Sequence, residues 1–586
     1  MTRHPHGRSH LHRGGSPIGA GLARRAATLA AAAALVAALS MTSGAVADEP
    51  SRFVDHSLLI APELPCTWPS YPFPRFQITH QRRIGPDSAY NVDVLLIDGN
   101  TGTQLDVPPH SVARPDLNRE KSGPLGLAFT DRIEAWQFGG EACVVDVRDL
   151  LDQAPKGVSP LVLRQHVERF EAANRPLRFG DVALFRSDYS DRYYRPFPEG
   201  RRFIADVLDR QAPGYPDPDP DCMEFLASRG VMALGTDSAS MGPLPDLAEP
   251  THYAGLKHGM IWTESATNLG ALPATGAFYC MLGPRHEGGP YGEGRAFSIV
   301  GGELPARLID SARNRRAVEL SPVLSPRHPV TNPGIGSGEH RQTYLKIDFL
   351  YSEYLDLWHH AHLMDAMAGT HLVPPSYALP EKELDEPYAP EVRGWLEEYE
   401  RRYGERGFSS LTTEKVPLDW TCGPARVVDV RSLVGSVERS QWPASPEITP
   451  ALLEAWEAEH GRLREGDVVL LRTGHLDAHY RESPEEAGAW ADPQAGKAEG
   501  WPALGPDAVV FLKSRGIRCV GTDAPDLGGV DARRALMTYW ALGSREMVGV
   551  EFLHNLGNVP DGAYFLFAAL KIADCHGGPG RAIVLY

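Results

Sequence analysis

Paired cysteines are missing from this sequence. None of its seven cysteines forms a Cys-x-x-Cys spacing, and their number is odd: Cys66, Cys143, Cys222, Cys280, Cys422, Cys519 and Cys575. Zinc ribbons and small disulfide scaffolds both depend on regular cysteine pairs, so both classes are excluded. An exported chain could still form one or two disulfides, but the spacing does not predict which.

Positive charge is also scarce. Lys and Arg total 58 against 75 Asp and Glu, which gives a formal net charge of −17. A nucleic-acid-binding protein needs a basic surface, so no nucleic-acid partner is expected. The hydrophobic content of 42% and charged content of 23% are typical of folded globular domains.

Only one long apolar run occurs, and it lies near the N-terminus. Ala26–Leu39 follows a basic segment and precedes Ala45-Val46-Ala47, a small-x-small cleavage motif. This order predicts a signal peptide over residues 1–47 and therefore a secreted or extracytoplasmic protein. A membrane span needs about 20 apolar residues, so an uncleaved anchor is the weaker alternative. Arg24-Arg25 leaves twin-arginine export open.

Four sequence blocks occur twice, in the same order. The offsets between the copies are 283 to 287 residues: Val144–Arg148 with Val427–Arg431, Leu177–Arg186 with Leu463–Arg472, Phe225–Asp237 with Phe511–Asp523, and Glu264–Gly270 with Glu551–Gly557. Such a constant spacing indicates a duplicated domain. Upstream, Gly102-Thr103 and Gly369-Thr370 are only 267 apart. We place the extra residues of the second copy in Pro380–Arg406, read as a solvated helix.

Within each copy, short β-branched runs alternate with periodic stretches. Cys143–Val147 and Asp467–Leu471 predict buried strands, whereas Pro220–Arg229 and Leu452–Leu463 predict helices. This rhythm is typical of an α/β fold. We therefore predict two tandem domains after the signal peptide, over residues 48–302 and 303–586.

The segment Asn100-Thr101-Gly102-Thr103-Gln104-Leu105-Asp106-Val107-Pro108-Pro109-His110 contains the chemistry-bearing residues of the first copy. It resembles the cyclase-type metal-dependent hydrolases, which include kynurenine formamidases, isatin hydrolases and trans-dienelactone hydrolases. Their motif is His-x-Gly-Thr-His-x-Asp-x-Pro-x-His. The resemblance covers both copies and implies a swivelling β/β/α-like fold. Because family members form dimers, it also implies that the fused copies make a pseudo-dimer, and the two-domain chain is a candidate homodimer.

The resemblance implies roles for individual residues of the first copy. Asp106 matches a metal ligand and His110 the catalytic acid/base, while His252 and Glu264, twelve residues apart, match a downstream metal pair. Asn100 and Gln104 stand where the family has two histidine ligands, so they are candidate amide-oxygen ligands. The implied cofactor is a divalent metal, Zn or Mn, and the implied partner is a small-molecule substrate.

The second copy keeps fewer of these residues. His371 and Glu551 remain as candidate ligands, whereas Met367 and Tyr539 replace two histidines. Aligning the two Val-Pro-Pro runs removes the aspartate by a deletion and places Ser376 at the catalytic histidine. His359, His360, His362 and Asp365 lie upstream; a rearranged metal site is one interpretation, and a polar helix face or loop is the favoured one.

Three functions remain open from the sequence. The first is an exported hydrolase that opens an amide, lactam or lactone bond with metal-activated water in the first copy. The second is a non-hydrolytic cyclase or isomerase of secondary metabolism. The third is a degenerate protein that binds but does not catalyse. Convergence of Asp106, His252 and Glu264, with His110 facing them, would favour the first.

Overall fold

The computed structural model describes residues 50–69, 74–331, 344–353, 355–482 and 488–586. Thirteen strands belong to the first half of the described chain: β1 Arg52–Asp55, β2 Gln77–Arg82, β3 Val92–Asp98, β4 Gln104–Asp106, β5 Gly139–Asp146, β6 Leu161–Val162, β7 Asp181–Arg186, β8 Asp217–Pro218, β9 Ala233–Thr236, β10 Ile261–Glu264, β11 Ala277–Leu282, β12 Tyr291–Glu293 and β13 Arg295–Val300. Twelve follow in the second half: β14 Ala317–Glu319, β15 Tyr344–Ser352, β16 Leu357–Asp365, β17 His371–Val373, β18 Cys422–Asp429, β19 Glu447–Ile448, β20 Val468–Arg472, β21 Ala503–Leu504, β22 Cys519–Thr522, β23 Val548–Glu551, β24 Tyr564–Ala569 and β25 Gly578–Leu585.

Each half builds one large mixed sheet. The first has the order β1-β13-β11-β5-β7-β9-β10-β4-β12 and the second β14-β25-β17-β23-β22-β20-β18-β24. Four neighbouring strands are parallel in each, β5-β7-β9-β10 and β18-β20-β22-β23. In the second sheet β25 pairs with β17 through its first residues and with β24 through the rest, which closes the sheet on itself.

Helices of eight or more residues cover these sheets. In the described chain they are Arg164–Ala173, Pro220–Ser228, Ala248–Leu256, Leu304–Arg313, Pro390–Tyr403, Pro450–His460, Pro506–Ser514 and Ala532–Gly543. The predicted helices at Pro220 and Leu452 are confirmed, and a proline at the first helical turn starts both. Pro390–Tyr403 confirms the extra helix of the second copy; its glutamates face solvent and Tyr399 faces the core.

A four-stranded antiparallel sheet joins the halves. Its order is β15-β16-β3-β2, and the central pairing places Ala361 opposite Asp98 and Asp365 opposite Val94. Our favoured interpretation of His359, His360 and His362 as a polar helix face or loop is therefore wrong. They lie on β16, and all three are buried against residues of the first copy: His359 contacts Tyr291, His360 the Gly288 carbonyl and His362 the ring of His286.

The two large sheets share one apolar core. Phe278, Phe297 and Cys280 from the first half pack in the same cluster as Leu566 and Ile583 from the second. Ser51–Tyr586 accordingly form one compact unit. All seven cysteines are buried free thiols, so neither of the one or two disulfides that export would permit is formed.

The predicted signal peptide, residues 1–47, lies outside the described residues. Across the part of the chain that is described, no helix combines the length and apolar character that a membrane crossing requires.

Candidate active site

Two neighbouring strands align the carboxylates of the first copy. β4 runs antiparallel to β10, with Asp106 opposite Trp262 and Gln104 opposite Glu264. Directly opposed residues project from the same face of a sheet, and all four side chains are buried. The strand register therefore brings Asp106 and Glu264 together although 158 positions separate them in the sequence.

His252 reaches the same face from the helix Ala248–Leu256. Its Nδ1 lies 2.7 Å from the carbonyl oxygen of Ala248, which fixes the ring. Its Nε2 lies 3.3 Å from Asp106 Oδ2 and 3.6 Å from Glu264 Oε1. A histidine held at one nitrogen by a backbone carbonyl and presenting the other to carboxylates is the usual arrangement of a metal ligand.

His110 ends the single 3₁₀ turn Pro108–His110 that follows β4. Its Nε2 lies 3.8 Å from Asp106 Oδ2, and its ring stands edge-on to His252 with centroids 5.1 Å apart. One ligand atom each from Asp106, His110 and His252 lie within 4.8 Å of one another. His110 is thus placed both to shuttle a proton and to approach a bound ion.

The two amide candidates have different surroundings. The Gln104 side-chain amide donates a 2.7 Å hydrogen bond to Glu264 Oε2, so it orients that carboxylate. Asn100 lines a small enclosed cavity together with Gln104 and Cys66.

Burial and neighbouring charges shift the pKa values of three residues at this site. Burial, with Glu264 nearby, raises the pKa of Asp106 to about 7. Burial would lower the pKa of His252, but Asp106 and Glu264 outweigh it and raise that pKa to about 10. Burial and neighbouring His252 hold the pKa of His110 well below its usual range.

A third carboxylate, Asp217, was missed by the sequence reasoning. It is fully buried on β8, and burial together with Glu264 raises its pKa well above the usual range. Neither of its oxygens, nor either oxygen of Asp106, has a hydrogen-bond partner in the described chain. The internal repeat contained a signal for Asp217. Its counterpart at the 286-residue offset is Ala503, so the acid occurs in the first copy and not in the second.

These residues fit a divalent cation. Buried carboxylates are costly unless they are paired or coordinate a metal, and the free oxygens of Asp106 lie beside the Nε2 of His252. Oxygen donors with one or two imidazoles suit Mn²⁺ and Zn²⁺. Glu264 Oε1 also accepts a 2.6 Å bond from the backbone amide of Met241, which fixes its direction.

The strand register corrects our alignment of the second copy. His371 lies opposite Glu551 and Val373 opposite Gly549, as Gln104 and Asp106 lie opposite Glu264 and Trp262. The offset of 267 thus continues without a gap, and Val373 replaces the aspartate by substitution. The following 3₁₀ turn, Pro375–Tyr377, places Tyr377 at the position of His110. The assignment of Ser376 to that position is wrong.

In the second copy, the side chains at the corresponding positions hydrogen-bond to one another. His371 Nε2 lies 3.2 Å from Glu551 Oε2, and Tyr539 donates a 2.6 Å bond to Glu551 Oε1. Burial, with Glu551 nearby, raises the pKa of Asp526 to about 7. In the described chain, His371 and Glu551 belong to no group of three ligands.

The second copy also contributes to the first site. On β16, His359 Nδ1 lies 2.6 Å from the hydroxyl of Tyr291, whose ring stands edge-on to His110 at 4.9 Å. A cavity of about 290 Å³ opens between the copies, lined by Pro109 and by Lys346, Trp358 and His360 of the β15–β16 hairpin. Sequence reasoning missed Tyr291, since a lone tyrosine in a glycine-rich turn carries no motif.

Known proteins similar to this chain belong to one family. The family described as "Putative cyclase" matches residues 54–243 and 318–528, one stretch in each copy. Isatin hydrolase of Roseibium aggregatum is 32% identical over 179 residues, which are 28% of this chain and 65% of that protein, and kynurenine formamidase of Salinibacter ruber is 33% identical over 183 residues, 31% of this chain and 68% of that protein. A solved structure, isatin hydrolase A from Ralstonia solanacearum, is 22% identical with a TM-score of 0.36 and covers 46% of this chain and 96% of its own.

The chain belongs to the cyclase family, and it contains the family's domain twice. The alignment with isatin hydrolase spans just under two thirds of that relative. The family relationship therefore establishes the class of protein but not the reaction that it catalyses.

Proposed function

We propose that this chain is a metal-dependent hydrolase that opens a cyclic or acyl amide, or a lactone, at the first copy. The observation that carries the proposal is the convergence of Asp106, His252 and Glu264 with His110 beside them. The names of the relatives, isatin hydrolase and kynurenine formamidase, support carbon–nitrogen bond hydrolysis.

The first copy would hold the ion through Asp106, His252 and Glu264, with His110 at the edge of the group. A divalent cation there supplies Lewis-acid polarisation of a carbonyl oxygen. His110 takes a proton from the attacking water and returns it to the leaving nitrogen or oxygen, the usual role of a histidine in acid/base catalysis. Gln104 keeps Glu264 aimed at the site through its 2.7 Å bond.

Substrate would enter through the cavity between the copies. It lies beside Pro109, next to His110 in the chain, and its lining combines the rings of Phe129 and Trp358 with the charges of Arg114 and Lys346. Such a lining suits a small aromatic molecule with polar groups. The second copy then acts as a scaffold that walls the cavity, and the fused pair is a pseudo-dimer. We also propose export through the signal peptide.

The test combines metal analysis with turnover of a cyclic amide such as isatin. We expect the purified chain to contain bound Mn or Zn, to lose turnover on chelation and to recover when the ion returns. His252→Gln and Asp106→Asn should lose both the ion and turnover. His258→Gln should keep both, because His258 follows the helix Ala248–Leu256 and its exposed side chain pairs with Glu224. A metal-free protein whose turnover survives both site variants would disprove the proposal.

A further inference from the structure

A second group of metal-binding side chains lies where the two copies meet. His286 follows β11, Glu293 ends β12, and His362 comes from β16 of the second copy. Their exposed fractions are 2%, 0% and 2%. β12 is the neighbour of β4, and Glu293 lies opposite Gln104, so this group is adjacent to the candidate active site but contains none of its residues.

His286 contacts both of the other side chains. His286 Nε2 lies 2.9 Å from Glu293 Oε1, and its Nδ1 lies 2.9 Å from the hydroxyl of Tyr344. The rings of His286 and His362 stack with centroids 3.8 Å apart and an interplanar angle of 10°. One ligand atom of each residue lies within 4.8 Å of the other two.

Several polar atoms of this group lack a partner. Within the described chain, both ring nitrogens of His362 and Oε2 of Glu293 make no hydrogen bond. A buried polar atom without a partner destabilises the fold, and native proteins rarely leave these groups unpaired. Protein groups therefore satisfy both ring nitrogens of His286 but neither ring nitrogen of His362.

The donor set and its charge both favour a cation. Two imidazoles and one carboxylate are a recurrent ligand set for Zn²⁺. Oδ2 of buried Asp98 is also without a partner in the described residues, and Asp98 lies close enough to Glu293 to be repelled by it. Among the described residues, the ion pairs of these two buried acids are limited to His286 with Glu293, so a positive ion would stabilise them.

Binding requires the two rings to turn out of their stack. The rings of His286 and His362 are nearly parallel, so their in-plane lone pairs run side by side, and rotation of the side chains must bring one lone pair from each to a common position near Glu293. We propose that His286, Glu293 and His362 bind a divalent transition-metal ion, with Zn²⁺ as the probe, in a site that both copies build.

Such an ion would have a structural consequence. It would fix β16 to β12, and these two strands carry His359 and Tyr291, whose contact reaches His110. Binding that requires residues of both copies stabilises only the assembled arrangement. The ion would thus hold the second copy's hairpin against the first copy's site.

The test is done in the full chain with the candidate active site disabled by Asp106→Asn and His252→Gln. After loading with Zn²⁺ and desalting, we expect this parent to retain one zinc per chain and to melt at a higher temperature than its chelated form. Adding His362→Gln should remove both the zinc and the thermal shift. Adding His360→Gln instead is the matched control, because His360 lies on the same strand but pairs with Asp348 and the Gly288 carbonyl.

The design separates this proposal from the proposed function. A parent that binds no zinc, or a His362→Gln variant that retains it, would overturn the interface site whatever the first copy catalyses. Because a variant could fold poorly, anomalous scattering at the zinc edge from crystals of the unaltered chain gives an independent answer. A peak between His286, Glu293 and His362 supports the site, and its absence there overturns it.

Discussion

Tyr377 stands edge-on to Tyr539, with ring centroids 5.2 Å apart and an interplanar angle of 86°. His110 and His252 have the same relation in the first copy, at 5.1 Å and 69°. The second copy therefore keeps the shape of the site and replaces both imidazoles by phenols. Phenols at these positions fill the pocket and leave Glu551 hydrogen-bonded rather than available to an ion.

The equivalence of the two sites allows the same substitution to be compared at Glu264 and at Glu551. Glu264→Gln should lower kcat/KM at least about 100-fold, or roughly 2.7 kcal/mol, because Glu264 contacts His252. Glu551→Gln should change it by less than about threefold. Both carboxylates accept a backbone amide bond, from Met241 and Leu527 respectively, so their structural costs are comparable. Steady-state kinetics decides, and equal losses would contradict an inactive second copy.

The duplication could be read from the sequence, and so could the residues that converge at the candidate site, but the strand register could not. The alignment followed the Val-Pro-Pro runs and opened a gap, whereas the ladder to β23 places Val373 where Asp106 lies. Strand register depends on a partner strand that is distant in the sequence. The alignment relied instead on the local match between the two proline pairs. His362 was misread for a related reason, because the ring that covers it, His286, comes from the other copy.

Tyr291 should couple the second copy's hairpin to catalysis. Tyr291→Phe removes the hydroxyl that lies 2.6 Å from His359 and leaves the ring that packs on His110. The loss of one hydrogen bond of about 1 kcal/mol predicts a roughly fivefold lower kcat with KM nearly unchanged. Tyr279→Phe, equally buried in β11 of the same sheet, is the control. If the two variants behave alike, Tyr291 has no positioning role.

Asp55 should make the joined copies sensitive to acid. Its Oδ2 lies 2.9 Å from Arg295 and 3.0 Å from Lys571 of the second copy. Burial alone would raise the pKa of Asp55, but these two cations outweigh it and hold the pKa below its usual range. A lowered folded-state pKa means that the ionised group stabilises the fold above the unfolded pKa of 3.8. That stabilisation is lost as pH falls through the folded value.

Asp55→Asn should therefore lower the free energy of unfolding by about 2 kcal/mol at neutral pH, as expected for a partly buried charge network that loses one member. The difference from the unaltered chain should shrink towards zero as pH falls below 3.8 and through the lowered folded-state pKa of Asp55, where the carboxyl group itself becomes protonated. Urea denaturation at several pH values measures the gap, and a gap that stays constant with pH would show that the carboxylate charge is not the cause. Asp149→Asn, whose contact with Arg169 is exposed, should show little effect at any pH.

The second copy should regain an ion when its three missing groups are restored together. Val373→Asp, Tyr377→His and Tyr539→His place an aspartate and two histidines at the positions of Asp106, His110 and His252, beside His371 and Glu551, which are already 3.2 Å apart. We expect one additional Mn or Zn per chain in metal analysis, because two ligands become five. The pair Tyr377→His and Tyr539→His without the aspartate is the control and should gain less, since the carboxylate opposite Gly549 supplies the charge that offsets the cation. An unchanged metal content in the triple variant would mean that side chains beyond these three positions decide which copy binds an ion.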